Sequence, residues 1–225
     1  MRQILLRSAR TESWEGEVQV TLDRRRSWSS RIKVDIQRSR DGSVAQRFFW
    51  QRPGDLPGAS LLIRLPATGA ALCWRFRPEE RHVSRISLNE VVLESALHFK
   101  DFLSFDPVVL KARFIEEKVV GKKKILVFRI PASGKLGGET LDFHLRQDNH
   151  LISRMEWLGP DGKVTRQVLF LEPRSYGVQK RWSRIVACDI EHGTRTTMTI
   201  RKVRINPGLT ALHFKPESLA AKSGG

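Results

Sequence analysis

Alternation with a period of two runs through almost the whole chain, and it constrains the fold more than any other feature. In "GEVQVTL" Val18, Val20 and Leu22 alternate with Glu17, Gln19 and Thr21. In "RIKVDIQR" Ile32, Val34 and Ile36 alternate with Lys33, Asp35 and Gln37. "ETLDFHLR" sets Leu141, Phe143 and Leu145 on one side, and "LISRMEWL" does so with Leu151, Met155 and Trp157. Side chains of a β-strand project to opposite faces in turn, so this pattern predicts strands with one dry and one wet face. Similar runs bring the number of predicted strands to about a dozen. Asp41-Gly42, Gly121, Asp148-Asn149, Asp161-Gly162 and His192-Gly193 each fall between two such runs. Short Gly, Asn and Asp turns join antiparallel neighbours. Parallel strands need long crossovers, for which residues 139–204 leave no room, so the second half reads as a β-meander.

The stretch "ALCWRFRP" sharpens the question of function. Leu72, Trp74 and Phe76 share one parity, and Cys73, Arg75 and Arg77 share the other. The parity predicts that Trp74 and Phe76 point inward, while Arg75, Arg77 and Cys73 face out. By the same reasoning Cys188 shares parity with Val186 and Ile190 and faces in. Cysteines on opposite faces cannot approach to disulfide distance, so both are expected as free thiols.

Composition then narrows the classes. The chain has 225 residues with 40% hydrophobic content, enough for one sizeable core, so a single domain over 1–225 is expected. Lys and Arg total 40 against 24 Asp and Glu, a net charge of +16 that favours anionic partners. No run reaches the ~20 apolar residues of a membrane-spanning helix. The beginning, "MRQILLRSARTESW", holds only Ile4, Leu5 and Leu6 as an apolar block, short of the roughly 7–15 residues of a signal peptide.

No catalytic or metal-binding constellation emerges. The six histidines are scattered, without HxH or HExxH spacing, and the two cysteines form no CxxC pair. "PASGKLGG" at 131–138 lacks the spacing and the hydroxyl of a phosphate-binding loop, and there is no GxSxG elbow. No enzyme, cofactor or metal is predicted. The alternative of a basic nucleic-acid-binding protein requires aromatic and basic residues side by side on one face. Here they occupy opposite parities, so no specific nucleic-acid partner is expected. One region breaks the rhythm: "SLNEVVLESALHFKDFLSFDP", rich in apolar residues without alternation, predicts a lid-like segment over about 88–111. The last residues, about 220–225, are expected to fray.

The order of these pieces resembles the LolA-like family of bacterial outer-membrane lipoprotein-sorting proteins. The similarity runs from about Trp28 to Leu219. It includes "ASLLIRLPATGAALCWRFRPEERHVSRI", "SALHFKDFLSFD", "LDFHLRQDNHLISRMEWLGPDGKVTRQVLF" and "CDIEHGTRTTMTIRKVRIN" followed by "FKPESL". Cys188-Asp189 stands where the family often has M-x-D. The resemblance implies a mainly β fold, a half-open, strongly curved antiparallel β-barrel with short helices or a lid on its concave face. It implies a periplasmic carrier that binds a lipid or lipoprotein acyl chains in an apolar hollow, for transport towards the outer membrane. A lipid- or lipoprotein-sensing domain would use the same hollow. The candidate lining is Trp74, Phe76, Phe143, Met155 and Trp157, with Phe114, Phe128 and Phe170 as further inward candidates. Arg75, Arg77, Lys122, Lys123 and Lys124 are the candidate contacts to an anionic membrane surface, and an inner-membrane exporter is a further implied partner.

Overall fold

A computed structural model of the chain describes residues 11–22, 26–51, 58–87, 90, 95–98, 101, 112–132, 139–176 and 179–220. Most of the expected lid-like segment 88–111 lies outside these residues, as does the end of the tail from 221. Thirteen strands are described. They are β1 (Thr11–Leu22), β2 (Arg26–Arg38), β3 (Val44–Gln51), β4 (Ser60–Leu65), β5 (Leu72–Phe76), β6 (Val83–Ile86) and β7 (Arg113–Val120). Then follow β8 (Lys123–Ile130), β9 (Thr140–Arg146), β10 (Ile152–Leu158), β11 (Val164–Tyr176), β12 (Gln179–Asp189) and β13 (Thr194–Ile205). Two short 3-10 helices, Ala211–Phe214 and Pro216–Ala220, end the described chain.

Hydrogen bonding orders the strands β6-β5-β4-β3-β2-β1-β13-β12-β11-β10-β9-β8-β7. The sheet is mainly antiparallel and not closed, with β6 and β7 as its edges. The expected meander over the second half is present. Its turns fall at the anticipated dipeptides for a local reason. Asp41 accepts the backbone N–H of Ser43 at 2.9 Å and Asp161 that of Lys163 at 3.0 Å. Gly42 and Gly162 follow with φ of +88° and +77°, a region that suits glycine.

The chain divides into two compact units. One comprises Met1–Gln19, Ser27–Glu90 and Met198–Gly225, the other Val20–Arg26 and Val91–Thr197. In the first unit, β2, β3, β4 and β5 pair in register. Val34 faces Phe48, Phe48 faces Leu61, and Leu61 faces Arg75. Residues opposite one another across antiparallel strands share a face. Ile32, Val34, Phe48, Trp50, Leu61, Ile63 and Cys73 therefore make one buried apolar face. The other face carries Leu62, Trp74 and Phe76 and is covered by Phe214 and Leu219 of the 3-10 helices. Gly16 on β1 allows a close backbone approach, since a Cβ there would stand 2.3 Å from the Thr199 carbonyl oxygen of β13.

Candidate functional site

In the second unit, one register line crosses six strands. Phe114 on β7 lies opposite Phe128, Phe128 opposite Phe143, and Phe143 opposite Met155. Met155 faces Val168, and Val168 faces Ala187. The rings are in direct contact. Phe128 stacks on Phe143 with centroids 5.2 Å apart and planes 10° from parallel, and Phe114 meets Phe128 edge-on at 5.7 Å. Trp157, two residues from Met155, belongs to the same face, as does Phe170, two residues from Val168. All six second-unit residues named from the sequence thus share one face of the sheet. Their burial is graded. Phe143, Met155 and Trp157 are buried, Phe128 and Phe170 half-buried, and Phe114 is 58% exposed at the edge strand. β7 is exposed along its whole length, and Ile115, Val119 and Val120 add further apolar surface there.

The other face of the same strands is a polar ladder. Arg129 donates to both carboxylate oxygens of Asp142 at 2.7 Å, and His144 pairs with Glu156 at 2.8 Å. Arg154 contacts Glu156 and donates to Gln167 at 3.0 Å. The hydrogen bond with His144 chiefly holds the Glu156 carboxyl below its ordinary range, against the opposing effect of burial. Cys188 lies on this polar face, opposite Gln167, and is half-buried. This corrects the expected inward direction: the residue of β12 that shares the Phe143 face is Ala187.

Trp74 and Phe76 belong to the first unit and Phe143, Met155 and Trp157 to the second. Trp74 and Phe76 are half-buried against Leu62, Phe214 and Leu219. Cys73, expected to face outward, is only 1% exposed. Its parity belongs to the drier of the two faces of β5, where it lies between Ile63 and Ile86. Arg75 on β5 and Arg77 just beyond it are half-buried, which corrects the picture of an arginine-coated exterior. Arg75 reaches Glu90 at 3.3 Å and Glu80 at 3.8 Å, and Arg77 reaches Glu80 at 3.6 Å. Alternating arginines in this stretch mark local ion pairs rather than open water. Lys122, Lys123 and Lys124 are exposed around the β7–β8 turn, with Lys124 3.1 Å from Glu117.

Sequence reasoning missed a buried ion pair on the aromatic face. Arg166, opposite Trp157 in register, is 3% exposed, and its guanidinium carbon lies 5.0 Å from the Trp157 ring centroid. Its Nη2 donates to Asp101 Oδ1 at 2.8 Å. Burial lowers the affinity of Arg166 for its proton, and Asp101 and Asp189 oppose that effect. A signal existed in "VTRQVLF", where Arg166 takes the parity of Val164, Val168 and Phe170. Asp101 carried none, because "SALHFKDFLSFD" has no period to place it. Nearby, the described residues Ser95, Ala96 and Leu97 are buried, and the Ala96 N–H donates to Thr196 Oγ1 at 2.8 Å.

Residues 43–221 match a protein family described as "Uncharacterized protein". No functionally curated protein matches the chain. Among solved structures, a domain from Vibrio parahaemolyticus described as an outer membrane lipoprotein-sorting protein is similar, with a TM-score of 0.86 and 16% identity. That match covers 93% of this chain and 91% of the other. A DUF1329 family protein from Desulfovibrio piger also gives a TM-score of 0.86 at 16% identity, covering 97% and 95%. A LolA superfamily protein from Nitrosomonas europaea gives 0.74 at 12%, covering 92% and 91%. At such identities the likeness is one of fold. The family matched over residues 43–221 is the one to which this chain belongs, and its fold is that of the LolA-like lipoprotein-sorting proteins.

Proposed function

We propose that the chain is a carrier of lipid or lipoprotein acyl chains, that it works in the periplasm, and that it delivers its cargo towards the outer membrane without catalysing a reaction. The observation that carries this reading is the aromatic face of the second unit, graded from buried Phe143 to exposed Phe114 at an open sheet edge. Flexible Met155 and flat aromatic rings suit an adaptable wall for aliphatic chains. The fold likeness to a protein described by lipoprotein sorting supports the same reading. On this proposal the two units act as one domain, and the open sheet curves into a half-open barrel that residues 88–111 cover. Phe114, Phe128 and Phe170 form the accessible lining, with Phe143, Met155 and Trp157 behind them, while Trp74 and Phe76 pack under the 3-10 helices of the first unit. An anionic membrane surface is met by Lys122, Lys123 and Lys124 more than by the ion-paired Arg75 and Arg77, and an inner-membrane exporter supplies the cargo.

A fluorescent fatty-acyl probe tests the proposal. Phe128→Asp puts a carboxylate in an apolar wall at a cost of several kcal/mol. It is expected to abolish probe binding while the far-ultraviolet circular dichroism stays that of the wild type. Changing Lys122, Lys123 and Lys124 together to Glu is expected to spare probe binding and reduce association with anionic liposomes, by about 1 kcal/mol for each cation lost. A folded wild-type protein that takes up no acyl probe and releases no lipid in native mass spectrometry refutes the carrier.

A further inference from the structure

Arg166 is built in a way that an apolar wall alone does not require. A guanidinium offers five N–H donors, and a buried donor without an acceptor is costly. Of the three nitrogens of Arg166, Nη2 is bound to Asp101, whereas buried Nε and Nη1 have no hydrogen-bond partner among the described residues. Asp101 does not turn its second oxygen to the arginine, because Oδ2 accepts the His98 backbone N–H at 2.8 Å. The two orphaned nitrogens lie on the same face as Phe143, Met155 and Trp157.

Charge decides which acceptor fits. Arg166 is ion-paired with Asp101, and the charge of Asp189, its register partner, also acts on it while Asp189 itself pairs with His192 Nδ1 at 3.0 Å. An ionised head group would add a third negative charge where water is excluded. A pure hydrocarbon would leave the donors unmet. A neutral carbonyl oxygen satisfies them without adding charge.

We propose that Arg166, held by Asp101 and stacked on Trp157, is a clasp for the ester or amide carbonyl of a bound acyl chain. This rests on the carrier reading and narrows its cargo to acylated molecules, as opposed to free fatty acids or alkanes. The clasp sets how deep the chain is inserted, because the carbonyl marks where the aliphatic part begins.

The test compares three ligands of equal chain length on the full-length protein at pH 9: a monoacylglycerol, the corresponding alkylglycerol ether, and the fatty acid. The ether keeps the glycerol and the chain but loses the carbonyl. The wild type is expected to bind the ester on the order of tenfold or more tightly than the ether, as a hydrogen bond from a charged donor implies, and more tightly than the ionised acid. The double variant Arg166→Met with Asp101→Leu removes both charges together, which avoids stranding one of them. It should bind ester and ether equally. Asp101→Asn removes the carboxylate paired with Arg166 and leaves only the more distant charge of Asp189, which should shift the preference towards the acid. The clasp is overturned by equal ester and ether binding in the wild type, by an ester preference that survives the double variant, or by acid binding tightest in the wild type. It is equally overturned if Asp101→Asn leaves the acid-to-ester ratio unchanged, which decides the matter should the double variant not fold. Failure of all three ligands to bind removes the carrier reading itself, a result distinct from equal binding.

Discussion

Cys73 and Arg75 stand two residues apart on one face of β5 and meet burial in opposite ways. The thiol stays neutral. Desolvation pushes its pKa up to about 12, with Glu90 adding to the rise and Arg85 opposing it. Arg75 is half-buried in ion pairs with Glu80 and Glu90. The thiolate is the nucleophile, so Cys73 should resist alkylation in the folded protein at pH 8 and react fully once denatured. Mass spectrometry after differential labelling checks this, and native labelling of Cys73 would contradict its burial. The linkage has a definite sign. Cys73 favours the fold fully below its unfolded pKa near 9, and that contribution is lost as pH rises towards about 12. Alkaline unfolding should therefore begin later in Cys73→Ala, provided the change in packing is allowed for by comparison at pH 7. Parity could not reveal any of this, because alternation separates two faces without saying which is drier. Arginines on one parity suggested water there. Glu80 and Glu90, placed beside them only by the turn and by chain folding, made the opposite possible.

The 3-10 helices at the end of the described chain act as a cover strapped to β2, β3 and β4. His213 Nε2 lies 2.6 Å from Asp35 Oδ2, Arg47 Nη2 donates to the Ser218 carbonyl at 2.9 Å, and Ser60 Oγ donates to the Leu219 carbonyl at 2.8 Å. Burial works to raise the Asp35 pKa, but hydrogen bonds from His213 and Ser13 and the charge of Lys33 prevail and hold it below the usual range. Leu219, 1% exposed against Leu62, is the apolar pin. Leu219→Ala should cost about 2–5 kcal/mol in urea denaturation, the range for a buried leucine truncated to alanine. A loss below about 0.5 kcal/mol, typical of surface substitutions, would mean that the cover is not part of the cooperative fold. Strands and hairpins were legible because their signals are local: a period of two in β9 and β10, and Asp-Gly at the turns. The cover was not. "TALHFKPESLA" is too short for any helical period, and its role depends on Leu62 and on Ser60, the latter 159 residues before Leu219. Within the candidate site Phe143, Met155 and Trp157 could be grouped for the same local reason as the strands, whereas the strands of Phe114, Phe128 and Phe170 allow either parity. The Arg166–Asp101 pair joins positions 65 apart, and no periodicity encodes such a distance.

At the scale of the molecule, the strand order has a property that the sequence alone conceals. Every strand pairs with its neighbour in sequence except at one place, where β1 pairs with β13. That seam is tied at its end by the Asn206 N–H donating to the Thr11 carbonyl at 2.8 Å, across 195 positions. The edges, β6 and β7, are instead neighbours in sequence. Non-local pairing slows folding, because the loop must close before its contacts repay the entropy lost. A circular permutant, its ends joined by a flexible linker and reopened after Glu90, would turn every strand pairing into a local one. It should fold faster than the parent in stopped-flow refolding, with the unfolding rate changed less. Equal folding rates would show that the seam is not limiting. In the parent, a ribosome delivers β1 first and its partner last. The middle of the finished sheet is therefore the last part that can zip, and for most of synthesis β1 waits with one edge bare. A nascent chain of this design has a long interval in which a chaperone has something to hold.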